Sequence, residues 1–186
     1  MGRIIHQQDI IERQILAMGI ARFDVATRKK SGSTLAHDGL YLTQLWGLVD
    51  LLREQNQAGH AVLIRPHGEH GMTLLGGLDN ARLSKLRVEG FEPALVVQYG
   101  KDLFQAWLKH DRKLDQATSE KVAKCLAEIA GVDASISHWD SYGYLANFLI
   151  PAWVQGEEQE AYLIEDRGIV YSAAPQLLSK YCAAAS

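Results

Sequence analysis

The chain has 186 residues, 19 of them Lys or Arg against 22 Asp or Glu, for a formal net charge of −3, and 47% are hydrophobic. That balance describes one soluble domain with enough material for a single core. It excludes a collagen repeat, low-complexity disorder and a disulfide scaffold, and it argues against non-specific coating of nucleic acid while leaving room for a local basic groove. No apolar run reaches the roughly 18 residues that a spanning helix needs. Carboxylates interrupt the opening MGRIIHQQDIIERQ where a signal peptide would be apolar, so the expectation is a cytoplasmic protein with no membrane partner. Cys125 and Cys182 lack metal-ligand spacing and read as buried thiols.

Ile4, Ile11, Ile15 and Met18 recur at helical spacing before Gly19, which predicts a helix over 4–18. Residues 20–28 alternate apolar and polar side chains, the pattern of a strand with one buried face. A polar loop over 29–33 follows, then an amphipathic helix over 43–57 capped by Thr43, then the apolar strand HAVLIR ending at Pro66. Beyond the loop HGEHG, a short strand MTLL leads into Gly76 and Gly77. Asp79 caps the next helix, and Leu78 with Leu83 forms a hydrophobic staple. Strands ALVVQY and LFQAWLKH come next, then a helix over 117–130 that places Cys125 in the core. EAYLIEDRGIVYSAA reads as a hairpin turning at Asp166, Arg167 and Gly168, followed by a terminal helix from Pro175.

The order over 20–99 is strand, helix, strand, strand, helix, strand, with one further strand and helix after it. This is the split βαβ unit of ferredoxin-like and RRM-like folds, an α+β open sandwich. One domain over 1–186 is expected, with a core of about 20–150, the helix 4–18 before it, and a hairpin and helix over 159–184 packed on it. Such a fold hosts single-strand binding, small-molecule regulation and nucleotidyl transfer, so the site must decide. Nucleotidyl transfer needs carboxylates on neighbouring strands to clamp divalent cations. Single-strand binding needs basic and aromatic side chains on an open face.

The stretches LLREQNQAGHAVLIRP, MTLLGGLDNARLSKLRVEGFEPALVVQYGKDLFQAWLKH and LAEIAGVDASISHWDSYGYLANF resemble the RepB-type primase domain of plasmids, phages and relaxase fusions. The resemblance runs from about residue 10 to residue 150 and is strongest at Asn56-x-x-Gly59, at Glu89-Gly90-Phe91-Glu92-Pro93, and at Phe104-Gln105-Ala106-Trp107. It implies a relative of the archaeo-eukaryotic primases that works on single-stranded DNA in the replication or mobilisation of a mobile element. Magnesium or manganese and a nucleotide would be required if it is active. The chain departs from the family pattern where two aspartates are expected, at Gly76 and Gly77. It also departs at Tyr144-Leu145-Ala146-Asn147-Phe148 in place of an arginine-bearing segment, at Leu149 and Ile150 in place of basic residues, and at Gly100-Lys101-Asp102.

Three single carboxylates are then the candidate catalytic groups: Asp24 on the polar face of the first strand, Asp79 beside the missing pair, and Asp133 after Gly131. Each also has an ordinary reading, as a solvated side chain, a helix cap and a loop residue respectively. His138 with Asp140 forms a fourth candidate, as an acid–base pair. His67, Glu69 and His70 are possible chelators without the spacing of a strong metal motif, and no metal site is expected. The most coherent nucleic-acid-binding set is Arg65, Lys101, Gln105, Trp107 and Lys109, the last three sharing one face of a strand. The alternative for Trp107 is burial, and Arg28, Lys29 and Lys30 form a possible basic edge. The expectation is a primase-like single-strand binder with a degenerate catalytic site. Its rivals are an active primase with non-standard carboxylates and a protein-interaction module.

Overall fold

The computed structural model describes residues 2–182. The opening helix α1 spans Gly2–Met18 and ends at Gly19, whose φ of 65° suits a C-terminal glycine. Strand β1 (Phe23–Arg28) turns through Lys29–Ser33 into β2 (Thr34–Leu40), an edge strand that the sequence reading left unassigned. TLAHDGL is mostly exposed, so little apolar alternation marks it, and β1 supplies its partner instead. The helix expected over 43–57 is two pieces, α2 (Leu42–Trp46) and α3 (Val49–Gln57), parted at Gly47 and Leu48. Its N-cap is Tyr41 and not Thr43, with the Gln44 side chain accepting from the Tyr41 N–H at 2.9 Å. Strands β3 (Ala61–Pro66) and β4 (Met72–Leu78) follow, then α4 (Asn80–Val88), β5 (Leu95–Gly100), β6 (Leu103–Lys109) and α5 (Gln116–Ala130). A single 3-10 turn (Ala134–Ile136) leads to β7 (Gly143–Tyr144), β8 (Leu149–Ile150), α6 (Ala152–Gln155), β9 (Gln159–Glu160), β10 (Tyr162–Glu165) and α7 (Ala174–Cys182).

The fold is α+β and primase-like, and the split βαβ arrangement occurs twice, in two sheets, where the sequence pattern suggested one. Sheet order β2-β1-β3-β7 places β2 and β3, joined by α2 and α3, on either side of β1 and antiparallel to it. Order β10-β5-β6-β4 places β4 and β5, joined by α4, on either side of β6. The unseen β2 is the reason for the difference. Its hairpin reverses the chain before the helices, so the crossover delivers β3 antiparallel to β1.

Strand β4 runs through Gly76 and Gly77, where the register with β6 shifts between Leu75 and Leu78. The two glycines therefore form a β-bulge within a strand. Gly77, at φ 69°, is the position that requires glycine, and its N–H donates to the Tyr99 hydroxyl at 3.1 Å. The C-terminal hairpin does not form. Its first leg, β10, pairs with β5, while Val170 bridges to Lys109 at the end of β6. An unpaired edge at β5 is a better partner than a two-stranded ribbon standing alone.

The largest core gathers Ile11, Ile15 and Met18 of α1, Phe23 and Val25 of β1, Ile64 of β3, and Leu95 and Trp107 of the second sheet. Thus α1 is held between the two sheets. A second core lies on the other face of β4–β6, under α4, α5 and α7. Cys125 is half-buried at its margin, less enclosed than expected, and the side chain of Cys182 lies outside the described residues. No helix among the described residues is long and apolar enough to cross a membrane.

Candidate functional site

Alternation along β1 sends Phe23, Val25 and Thr27 one way and Asp24, Ala26 and Arg28 the other. Register then sets Asp24 opposite Arg65 and Ala26 opposite Leu63 on the first sheet. Asp24, a candidate catalytic carboxylate whose ordinary reading is a solvated side chain, is 2% exposed beneath its partners. Its carboxylate accepts from Arg65 Nε at 2.9 Å, from His67 Nδ1 at 2.6 Å and from the Gly39 N–H at 2.8 Å. Burial alone would raise its pKa. The hydrogen bonds from Gly39, Arg65 and His67, with the charge of Arg65, outweigh that and hold Asp24 below the usual carboxylate range. Arg65 in turn donates through Nη1 to the Asp140 carbonyl at 3.1 Å, lies 3.5 Å from the Asp140 carboxylate, and stacks 4.4 Å from the Tyr142 ring centroid.

Arg65 forms one wall of a cleft of about 460 Å³ between the sheets. Its other walls are Arg28, Tyr99, Tyr142, Tyr144, His138 and Asp140, with Leu74, Gly76 and Gln105 on the floor. Tyr99 and Tyr144 pack at 4.9 Å between centroids. Burial raises the pKa of both, that of Tyr144 to about 12, so these rings face the cleft uncharged. Arg28 makes no ion pair among the described residues, and a Cβ built on Gly76 would meet nothing within 4 Å.

Three buried amides that the sequence did not single out as a group hold the segment lining this cleft. Gln105 Nε2 donates to the Tyr144 carbonyl and Gln105 Oε1 accepts from the Tyr144 N–H, both at 2.8 Å, so a side chain of the second sheet pairs with β7 as a strand would. Gln14 of α1 accepts from the Ala146 N–H at 2.7 Å, and Asn56 pairs with Leu149 through both its amide atoms at 2.8 Å. The Asn56-x-x-Gly59 spacing follows: Asn56 also donates to the His60 carbonyl, and Gly59 turns the chain at φ 85°.

The expected binding set is divided. Trp107 is 1% exposed within the main core and has no ring face to offer a base, which corrects its reading as a stacking platform. Gln105, 2% exposed, is committed to Tyr144. The cause is that β6 is central in its sheet and covered on both faces, so alternation on it no longer separates a wet side from a dry one. Lys109 lies in a different cleft, and Lys101 is exposed in the β5–β6 turn, lining neither.

Of the candidate carboxylates, Asp79 caps α4 by accepting from the Arg82 N–H at 2.8 Å and pairs with the Arg82 guanidinium at 2.7 Å. Asp133 caps the 3-10 turn through the Ser135 N–H at 2.8 Å, and hydrogen bonds from Ser135 hold its pKa low. His138 lines the cleft with Nδ1 3.5 Å from Glu120. His67 is bound to Asp24, and His70 is buried between the Trp139 carbonyl and the Met72 N–H. Among the described residues no three His, Cys, Asp or Glu side chains converge. The cleft itself supplies one carboxylate, Asp140, already beside Arg65. This donor set does not fit the pair of divalent cations that nucleotidyl transfer requires.

Mobilization protein A of Escherichia coli is 32% identical to the chain over 146 residues, 74% of this chain, and the chain spans only about a fifth (20%) of that relative. The crystal structure of the catalytic domain of primase RepB′ in complex with initiator DNA superposes with a TM-score of 0.88 at 28% identity, covering 96% of this chain and 94% of that one. Primase RepB′ itself gives 0.89 at 28% identity, over 96% of this chain and 62% of that one. The AEP domain of the cyanophage S-2L primase-polymerase, at 14% identity, TM-score 0.64, and coverage of 91% and 97%, shares the fold. Residues 47–149, more than half of the chain, match the RepB DNA-primase N-terminal domain, and the chain belongs to that family.

Proposed function

We propose that this domain binds single-stranded DNA in the cleft between its two sheets, serving plasmid replication or mobilisation, and that its nucleotidyl transfer is absent or very weak. The observation that carries the reading is the cleft lining, which brings Arg28 and Arg65 together with the rings of Tyr99, Tyr142 and Tyr144. Cations neutralise phosphates and aromatic faces stack bases without regard to sequence. Arg65 is held by Asp24 and Asp140 and stacked on Tyr142, so ordering it for contact costs little additional entropy. The glycine floor at Gly76 leaves space for a base where a side chain would stand. Support from relatives comes from the RepB′ catalytic domain seen with initiator DNA and from the mobilization protein.

The catalytic part of the proposal rests on the donor set. Asp24 is spent on three donors, Asp79 and Asp133 are caps, and Gly76 and Gly77 carry no ligand. The experiment is fluorescence anisotropy of a labelled dT12 across a salt series, alongside a template-directed primer assay with magnesium and manganese. Saturable binding that weakens with salt, without primer synthesis, is the expected result. Absence of binding at low salt would refute the DNA reading and leave a protein-interaction module. Robust synthesis abolished by Asp24→Ala or Asp133→Ala would refute the catalytic reading.

A further inference from the structure

A second and larger cleft, of about 680 Å³, opens where α1 ends, β3 and β6 end and β4 begins. Its volume falls in the range of small-molecule sites. Buried Met18, Pro66 and Met72 make its floor apolar, while Arg22, Lys109 and Lys113 stand on its walls. None of these three cations has a carboxylate partner among the described residues. Arg22 donates to the Gly39 carbonyl at 3.1 Å and lies 5.7 Å from the Tyr41 ring, and half-buried Lys109 reaches only the Gly168 carbonyl at 3.4 Å. The opposing acids are Asp111, which is taken by Arg112 at 2.7 Å, and Glu69. His70 and His110 also face the cleft, but burial lowers both pKa values, that of His110 to about 4, so they are neutral near pH 7. His67 lines the same cleft with its Nδ1 turned inward to Asp24.

The whole chain is acidic, yet this concave surface carries an excess of uncompensated positive charge. Low-dielectric walls focus the field of such a cleft, and a half-buried ammonium without a counterion gains most from an anion brought to it. We propose that this second cleft binds the phosphate of a nucleotide unit, with Lys109 and Lys113 as the phosphate contacts, Arg22 at its mouth, and the apolar floor against the sugar or base. The inference relies on the nucleic-acid reading above only for the identity of the anion. It does not require the inter-sheet cleft to be the path of the strand.

The test measures two probes without added metal: dTMP by calorimetry and labelled dT12 by anisotropy across a salt series. The variants are Lys109→Gln/Lys113→Gln and, for an exposed position unlinked to the core, Lys113→Glu. Arg28→Gln/Arg65→Gln reports separately on the inter-sheet cleft. Loss of dTMP binding in the lysine variants, with the arginine variant unaffected, identifies a free nucleotide as the source. A roughly tenfold weaker dT12 affinity, with the salt slope reduced by about 1.4 for two lost contacts in the double lysine variant, identifies the strand as the source. If the lysine variants match the unmodified chain for both probes, or if the unmodified chain binds neither, the inference is overturned. Loss of dT12 binding in the arginine variant alone, with dTMP binding unchanged in the lysine variants, would overturn it while preserving the inter-sheet reading. Loss of dT12 binding in the lysine variants alone would support it and count against the inter-sheet cleft as the path of the strand.

Discussion

The two sheets of this domain are built by the same split βαβ connection and are used differently. The β10-β5-β6-β4 sheet is covered on both faces, by α1 and the first sheet on one side and by α4, α5 and α7 on the other. The β2-β1-β3-β7 sheet buries Phe23, Val25 and Ile64 on one face; on the other, Tyr142, Tyr144 and Trp153 cover Ala26, Ala61 and Leu63, and Arg28 and Arg65 reach a cleft at the margin of that cover, beside the buried Asp24. A sheet with both faces occupied stabilises the domain. Where the cover over a sheet leaves a cation partly exposed at a cleft, as it does Arg65, that group can meet a ligand without a desolvation cost that nothing offsets.

The contrast can be broken most severely at Trp107. Truncating an indole 1% exposed in the core should destabilise by about 3 to 5 kcal/mol. Chemical denaturation of Trp107→Ala measures it, and a loss below 1 kcal/mol would mean that this sheet is less tightly packed than described. The next effect is that of pH. His110, bound between Thr73 and Tyr171, has its pKa lowered from 6.5 to about 4 in the fold. The unfolded chain therefore takes up a proton first, so stability is full above pH 6.5, falls by about 3 kcal/mol as the pH drops towards 4, and levels below it from this group. Asp24 acts in the same direction at lower pH. Its folded pKa is lowered, so its contribution is present above the ordinary carboxylate range and is lost as pH falls through the folded value. Urea midpoints from pH 8 to pH 3 test both, and a flat profile between pH 6.5 and pH 4.5 would contradict the placement of His110.

Asp24→Asn sharpens the comparison, because it keeps the shape while removing the charge that Arg65 and His67 share. A loss of about 2 kcal/mol is expected, together with weaker dT12 binding as Arg65 loses its anchor. Unaltered affinity with reduced stability would mark Asp24 as structural only. The smallest effect on stability belongs to Arg28→Gln, within about 0.5 kcal/mol, because Arg28 has no ion pair to lose among the described residues. Its signature is in the salt dependence, where one phosphate contact fewer on a single strand lowers the slope by about 0.7. A slope equal to that of the unmodified chain would remove Arg28 from the interface.

Much of the fold was legible because the helices carry their own punctuation. Asp79 as cap, Leu78 with Leu83 as staple and Gly131 at φ 71° behind α5 are local signals, and each lies where the pattern placed it. Strand β2 was invisible, since an exposed edge strand is defined by the backbone partner it finds and not by its side chains. The site was legible in part. Arg65 and His138 were singled out and do line the inter-sheet cleft, whereas Tyr99, Tyr142 and Tyr144 were not recognised. Isolated tyrosines far apart in the chain carry no spacing signal, and only the meeting of β5 with the β7 segment brings two of them into contact.

Local backbone preference and apolar periodicity determined the helices, most strands and the α+β class, because those forces act over a few residues and leave their period in the chain. Tertiary structure alone decided which polar residues are wet. Asp24, Gln105 and Trp107 stand on strands whose alternation made one face look open, but a second layer covers that face in each case. Whether a polar side chain becomes a buried clamp or a ligand contact depends on what packs over it. Gln105 found the backbone of Tyr144 within hydrogen-bonding reach, and Arg65, with the same kind of polar partners beneath it, kept a quarter (26%) of its side chain in the cleft.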